Sequence, residues 1–282
     1  MRATEAVERV AEVLELLGAS RAPLGVTEIA RQLDVHKATA SRLLGTLAER
    51  GLVRRDRTGY RLGPRLARLA VDAITDLGVV EVSRPILRDL ASATGEVAYL
   101  SLPMGRAVLY VEHVAATRGA TEEPWIWLRG SPLHCSSSGK IFAAYGAISD
   151  LDAALQPPLS RRASRTISDP QQFRRLLPSV RKQGYATSVD ELEDGMSSVA
   201  VPVMAPEGSV LAAIGVAGPS ARLTQARLMT VSVSARSAAG VLTRRATPFL
   251  SQGSQVLSQG SQFSSPEDPR HPAEQPEPLR TR

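Results

Sequence analysis

The sequence predicts an α+β protein of two domains, with a small winged helix-turn-helix at the N-terminus and a larger sheet-and-helix domain behind it. Three observations carry that expectation. Residues 26–62 read as two short helices, a tight connection and a small ribbon loaded with arginine. From residue 79 onward, strand-like runs come in pairs separated by turns, with helical stretches between the pairs, which marks helices packed on an antiparallel sheet. A chain of 282 residues also suits two cores better than one.

Residues 4–17 form the first expected helix. Val7, Val10, Leu14 and Leu17 recur on one face, Glu5 and Glu8 favour its positive N-terminal end, and Gly18 stops it. Thr27 is a suitable N-cap for the second helix, in which Ile29, Ala30 and Leu33 face inward. Leu33-Asp34-Val35-His36 is too short for anything but a turn between packed helices. In the third helix Ala40, Leu43, Leu44 and Leu47 fall at i, i+3, i+4 and i+7, a single apolar stripe. The opposite face carries Ala38, Ser41, Arg42 and Gly45, flanked by Lys37 and Thr39. Three of those four are small, so the backbone there can approach another surface closely, and Arg42 has the longest reach. A major groove about 12 Å wide admits one such helix, and arginine pairs with guanine edges inside it. A solvated polar face is the plain alternative.

Gly51 ends this helix with Arg50 in its last turn. Leu52-Val53 and Tyr60-Arg61-Leu62 then make two strands joined through Asp56-Arg57-Thr58-Gly59. Arginines on such a ribbon bind phosphate or the minor groove. The candidate DNA contacts are therefore Thr27, His36, Lys37, Ala38, Thr39, Ser41, Arg42, Arg54, Arg55, Arg57 and Tyr60. Charge agrees with this placement. Of the net +6, residues 1–70 supply the largest share, with 13 Lys/Arg against 8 Asp/Glu, whereas residues 71–246 hold 18 against 16 and residues 247–282 hold 3 against 4.

Pro64 fits the first turn of a linker helix over 63–78, with Leu66, Leu69, Ala70, Ala73, Ile74 and Leu77 on one stripe that needs a partner, either a neighbouring domain or a second protomer. A helix over 79–93 follows, with Pro85 near its first turn. Strands are expected at 97–102, 108–114, 125–128, 198–204 and 210–217, and helices at 137–145, 169–183 and 224–244. Beyond Pro248 the sequence becomes low in complexity. Residues 250–256 and 257–263 nearly repeat each other, and six prolines occupy positions 248 to 278. Such a segment buries too little apolar surface to offset its ordering entropy, so 247–282 is expected to be a disordered tail. The expected domains are 1–62, 63–78, 79–246 and 247–282.

No apolar run approaches 18 residues and no signal-like segment opens the chain. The single cysteine, Cys135, excludes an intramolecular disulfide and any multi-cysteine metal site, and the four histidines lack ligand spacing. A cytoplasmic protein with neither metal nor cofactor is the expectation. The densest polar cluster is Gly130-Ser131-Pro132-Leu133-His134-Cys135-Ser136-Ser137-Ser138-Gly139-Lys140. A phosphate loop would need Gly at 134 and Ser or Thr at 141, where this chain has His134 and Ile141. Ser137-Ser138-Gly139-Lys140 matches the SxxK pattern of acyl-serine enzymes, although neither an SDN nor a KTG partner is present. Two other readings stand beside it: a helix N-terminus binding a small anion, and serines that only cap a helix.

The run from the third helix through the ribbon, followed by Leu62-Gly63-Pro64-Arg65 and by Ser83-Arg84-Pro85-Ile86-Leu87-Arg88-Asp89-Leu90, resembles the IclR family of bacterial transcriptional regulators over about residues 3–246. The resemblance implies a GAF-like effector-binding domain and a sequence-specific regulator, expected to be a repressor, that binds double-stranded operator DNA as a homodimer or tetramer. It places Ser137 and Ser138 in the effector pocket. The acidic turn Asp190-Glu191-Leu192-Glu193-Asp194-Gly195 and the strand after it form the second pocket segment. Ser188 stands where the family has an aspartate, Ser198 where it often has a cysteine, and Gly215 and Ala217 where two hydroxyls are common. Those departures make the pocket less polar, so an aromatic or apolar organic acid is expected rather than a small dicarboxylate or keto acid. Trp125 and Trp127 are candidates for stacking on it. The alternatives are an SxxK-type serine acyl-enzyme fused to a DNA-binding module, and a regulator that needs no ligand.

Overall fold

In the computed structural model, which describes residues 3–20, 22–76, 78–116 and 130–258, the apolar stripes of the first sixty residues converge on one small core. Helices α1 (Ala3–Ala19), α2 (Val26–Gln32) and α3 (Lys37–Glu49) pack with a ribbon of β1 (Val53–Arg55) and β2 (Tyr60–Leu62). Val13, Ile29 and Leu44 are fully buried in that core. Residue Asp34 turns the chain between α2 and α3 with φ +50°, a conformation that Asp tolerates better than most residues. Gly51 (φ +69°) follows α3, and the Gly51 and Leu52 N–H groups close its last carbonyls.

Several local expectations are corrected here. The buried face of α1 is centred on Val13 and Leu17, and Val7, roughly a quarter-turn away, is 69% exposed. Gly18 does not stop the helix, which runs on to Ala19 with the Ser20 N–H bonded to the Leu16 carbonyl at 3.2 Å. Residue Gly25, not Thr27, caps α2, because Thr27 already has helical backbone and a cap must be extended. A third strand-like contact joins the ribbon, where Leu24 pairs antiparallel with Tyr60.

Helix α4 (Pro64–Asp76) follows the ribbon, and the chain divides into two compact units inside it, between Ala73 and Ile74. The second unit is an antiparallel sheet of six strands in the order β5-β4-β3-β8-β7-β6. These are β3 (Val97–Met104), β4 (Ala107–Val114), β5 (Ser131–Pro132), β6 (Ala186–Val189), β7 (Met196–Met204) and β8 (Val210–Pro219). Helix α5 (Val79–Thr94) and the long C-terminal helix α9 (Gln225–Ser258) cover one face, where Leu87, Leu100, Ile214, Leu228 and Leu242 share a core. Helices α6 (Ser137–Ala144) and α8 (Pro170–Gln183) cover the other, around Phe142, Phe173, Tyr99 and Ala213. A short helix, α7 (Leu151–Ala154), connects them. This is the expected α+β arrangement.

Differences again have local causes. Pro85 sits in the second turn of α5, on its exposed side. Strands β5 and β6 were missed because two to four residues with serine and threonine among them show no clear alternation. The final helix keeps helical backbone to Ser258, past the expected end at 244. Low complexity argues against a packed core, but extending a helix already nucleated needs only one bond per added residue. The expected strand at 125–128 and residues 259–282 lie outside the described residues.

Gly63 makes the closest approach in the first unit: a Cβ there would sit 2.2 Å from the Gly51 carbonyl oxygen and 2.8 Å from the Leu52 carbonyl carbon. Gly63→Ala is expected to lose about 2 kcal/mol or more in urea denaturation, because neither backbone can retreat. The opposite sign is expected for Gly45→Ala. Its Cβ meets nothing within 4 Å on an exposed helix, so stability should rise by about 0.5–1 kcal/mol.

Candidate nucleic-acid interface and effector site

On α3 the buried side is Ala40, Leu44 and Leu47, and the opposite side leaves Lys37, Ala38, Ser41, Arg42 and Gly45 exposed. Thr39 is half-buried, and His36 stands exposed at the cap position. Thr27 is exposed in the first turn of α2. On the ribbon Arg54, Arg55 and Arg57 are all exposed. The turn that carries Arg57 is held by Asp56, whose Oδ1 accepts from the Thr58 hydroxyl at 2.6 Å, the Thr58 N–H at 2.8 Å and the Gly59 N–H at 3.1 Å. The Thr58 hydroxyl is the main cause holding that carboxyl below its ordinary range. Tyr60 is corrected. Its ring is buried in the small core, and it serves the surface only as a platform for the Arg55 guanidinium, 5.6 Å from the ring centre.

The second site is assembled by register. Across the face that α6 covers, Ser188, Ser198, Ala217 and Val97 stand opposite one another in one row, and Ala186, Ala200, Gly215 and Tyr99 in the next. Helix α6 starts above these rows, where Ser136 is the N-cap and accepts from the Gly139 N–H at 3.1 Å. The first turn can come down so far because Gly139 has no side chain: a Cβ there would be 2.4 Å from the Leu133 carbonyl oxygen. Ser137 and Ser138 are thereby pressed onto the sheet, both almost wholly buried.

Their hydroxyls find partners at once. Ser137 Oγ lies 2.9 Å from the Tyr99 hydroxyl and 2.7 Å from Ser198 Oγ, and Ser101 donates to Ser138 Oγ at 2.8 Å. Ser188 turns away and donates to the Cys135 carbonyl at 2.9 Å. Five of the six expected effector residues are thus gathered around α6 and the first row, while Gly215 lies in the second. Gly215 leaves no free space. A Cβ there would be 2.4 Å from the Tyr99 ring and 2.5 Å from the Val199 carbonyl oxygen, so Gly215→Leu would disrupt the fold rather than merely fill a pocket. Tyr99 was missed although it alternates with Val97 and Ser101 on the inner side of β3, which was the available signal. Trp125 and Trp127 lie outside the described residues.

The SxxK pair is not assembled as a nucleophile and its base. Lys140 Nζ donates to the Thr187 carbonyl at 2.7 Å and to Glu191 Oε1 at 2.6 Å, whereas Ser137 bonds Tyr99 and Ser198. Burial lowers the Lys140 pKa and Glu191 opposes that shift. Burial also pushes the Cys135 thiol up to about 12, which leaves it protonated and unreactive at neutral pH. The acidic turn is structural: Asp190 (φ +53°) accepts from the Gly195 N–H and the Ser220 hydroxyl, and Thr166 donates to the Glu191 carbonyl. Among the described residues no three His, Cys, Asp or Glu side chains converge as metal ligands, and no helix is long and apolar enough to cross a membrane.

Known proteins match both units. The family model for the C-terminal domain of bacterial IclR transcriptional regulators matches residues 71–244, and that for the IclR helix-turn-helix domain matches residues 6–57. The HTH-type transcriptional regulator BhcR of Paracoccus denitrificans is 34% identical, over 80% of this chain and 82% of that protein. The glycerol operon regulatory protein of Streptomyces coelicolor is 32% identical, over 79% and 87%. Among solved structures, an IclR transcriptional regulator from Alicyclobacillus acidocaldarius superposes with TM-score 0.70 at 27% identity, covering 86% of this chain and 98% of that one. An IclR homologue from Microbacterium hydrocarbonoxydans, complexed with 4-hydroxybenzoate, gives 0.66 at 26% identity, covering 86% and 99%.

Two outcomes are expected. Arg42→Ala should cost roughly 1–3 kcal/mol on operator DNA and relax specificity, whereas Arg57→Ala should weaken binding to all sequences and flatten the salt dependence by about one unit. Anisotropy titrations on operator and random duplexes check this, and equal losses on both for Arg42→Ala would remove base readout from that face. Lys140→Met should cost about 3–5 kcal/mol in urea denaturation, since it strands Glu191 in a buried site, and adding Glu191→Leu should recover much of the loss.

Proposed function

The chain belongs to the IclR family of bacterial transcriptional regulators, and we propose that it is a cytoplasmic repressor that grips a pseudo-palindromic operator as a homodimer or tetramer and is controlled by a small amphipathic organic acid. The observation that carries the DNA part is the small-residue face of α3 with Arg42 at its centre, on the same domain as the exposed arginines of the wing. One helix-turn-helix reads only a few base pairs, so useful specificity calls for two protomers. Leu69 on α4 and Val7 on α1, 48% and 69% exposed, supply apolar surface for pairing.

The effector is assigned to the Ser137–Ser138 turn, Ser198 and Ser188, with Ala217 and the Gly215 row behind them. Hydroxyls and the first turn of α6 suit a carboxylate, and the small β8 residues suit an apolar body. The 4-hydroxybenzoate held by the Microbacterium homologue is an acid of that class. No catalytic role is assigned, because Ser137 and Lys140 spend their hydrogen bonds on different partners.

Sedimentation at micromolar concentration tests the assembly. The protein should be dimeric or larger, and Leu69→Glu should shift it towards monomer and lower affinity for a full operator more than for a half-site. A wild-type monomer bound to one half-site would rule the reading out.

A further inference from the structure

Every hydroxyl that the effector reading offers to a ligand is already taken inside the protein. A serine has one proton to give and two lone pairs to accept with, and two of those three bonds of Ser137 go to Ser198 and to the phenol of Tyr99. The Tyr99 ring rests on the backbone of Gly215, is 1% exposed, and meets Tyr110 edge-on at 5.3 Å between ring centres. The rest of the second row is closed too, with Ala186 and Ala200 fully buried. There is no room between the phenol and the serines for a carboxylate. Burial raises the Tyr99 pKa, so the phenol keeps its proton and remains a donor. A buried hydroxyl without a partner is unfavourable, which holds Tyr99 on the serines until something replaces it.

We propose that Tyr99 is a built-in stand-in for the effector's acid group: its phenol occupies Ser137 and Ser198 in the ligand-free protein, and an organic carboxylate binds by displacing it. This rests on the reading of that serine cluster as the effector site. The displaced ring leaves a ring-sized apolar hollow over Gly215, bordered by Val97, Ala200, Ala213 and Ala217. The ligand class is therefore a monocarboxylate with an aromatic or similarly bulky apolar body. An acid with no body to fill the hollow cannot offset the lost phenol contacts. Observed affinity is the intrinsic affinity reduced by the fraction of protein whose Tyr99 is withdrawn.

Tyr99→Phe keeps the ring and removes only the competing hydroxyl. Titration calorimetry on the full chain with 4-hydroxybenzoate as probe should show binding about three- to tenfold tighter in Tyr99→Phe than in wild type, the equivalent of one lost internal hydrogen bond. Acetate should bind neither. Thermal stability and operator affinity without probe, measured on both proteins, confirm that the variant is folded. Unchanged or weaker binding in Tyr99→Phe, with Ser198→Val abolishing it, would make Tyr99 a bystander or a direct donor and overturn the inference while the site stands. Binding by neither protein, or binding indifferent to Ser198→Val, would overturn both the site and the inference.

Discussion

The second unit depends on one buried contact, the Lys140 ammonium held between the Thr187 carbonyl and the Glu191 carboxylate. Only 5% of the lysine side chain and 12% of the glutamate are exposed, so each charge would be very costly without the other. The contact ties the first turn of α6 to strand β6 and to the acidic turn after it. Helix α6 brings Ser137 and Ser138, while β6 and β7 bring Ser188 and Ser198. Their meeting point is thus set by an ion pair that touches none of the four hydroxyls. Glu191 Oε2, buried without a hydrogen-bond partner, shows that the pair satisfies the lysine more fully than the carboxylate.

Glycines decide how closely the layers come together. Gly139 lets α6 down onto the Leu133 carbonyl, Gly215 admits the Tyr99 ring, and Gly218 admits the Glu96 carboxylate, which Arg222 clamps through two bonds of 2.7 Å. In the first unit Gly63 does the same where the wing returns to the end of α3. Each is a close approach that any Cβ would block. These contacts explain why serine-rich and glycine-rich segments lie in buried places here and not in loops.

The two units present opposite kinds of surface chemistry. The wing and α3 expose cationic and small side chains to solvent, where phosphate and base edges can reach them. Around α6 the serine hydroxyls are turned inward and already bonded within the protein, so a ligand bound there as proposed would gain only the difference between its own hydrogen bonds and those it replaces. A carboxylate is a stronger acceptor than a phenol oxygen, which gives an acid that advantage.

What the sequence by itself determined was whatever rests on local signals: the stripe of α3 and hence its outward face, the arginine ribbon, the extent of α8, and the paired strands of the larger unit. Those signals repeat every two to four residues and need no distant partner. The tertiary structure decided the rest. It placed Val13 and not Val7 in the first core, turned Tyr60 inward, paired β6 with β7, and carried Tyr99 to a serine 38 positions on that in turn meets another 61 positions further. Such meetings depend on strand register and on how far a helix can descend onto a sheet. A one-residue slip of β3 would send Tyr99 to the opposite face, and nothing in the local pattern forbids it; only the packed layers do.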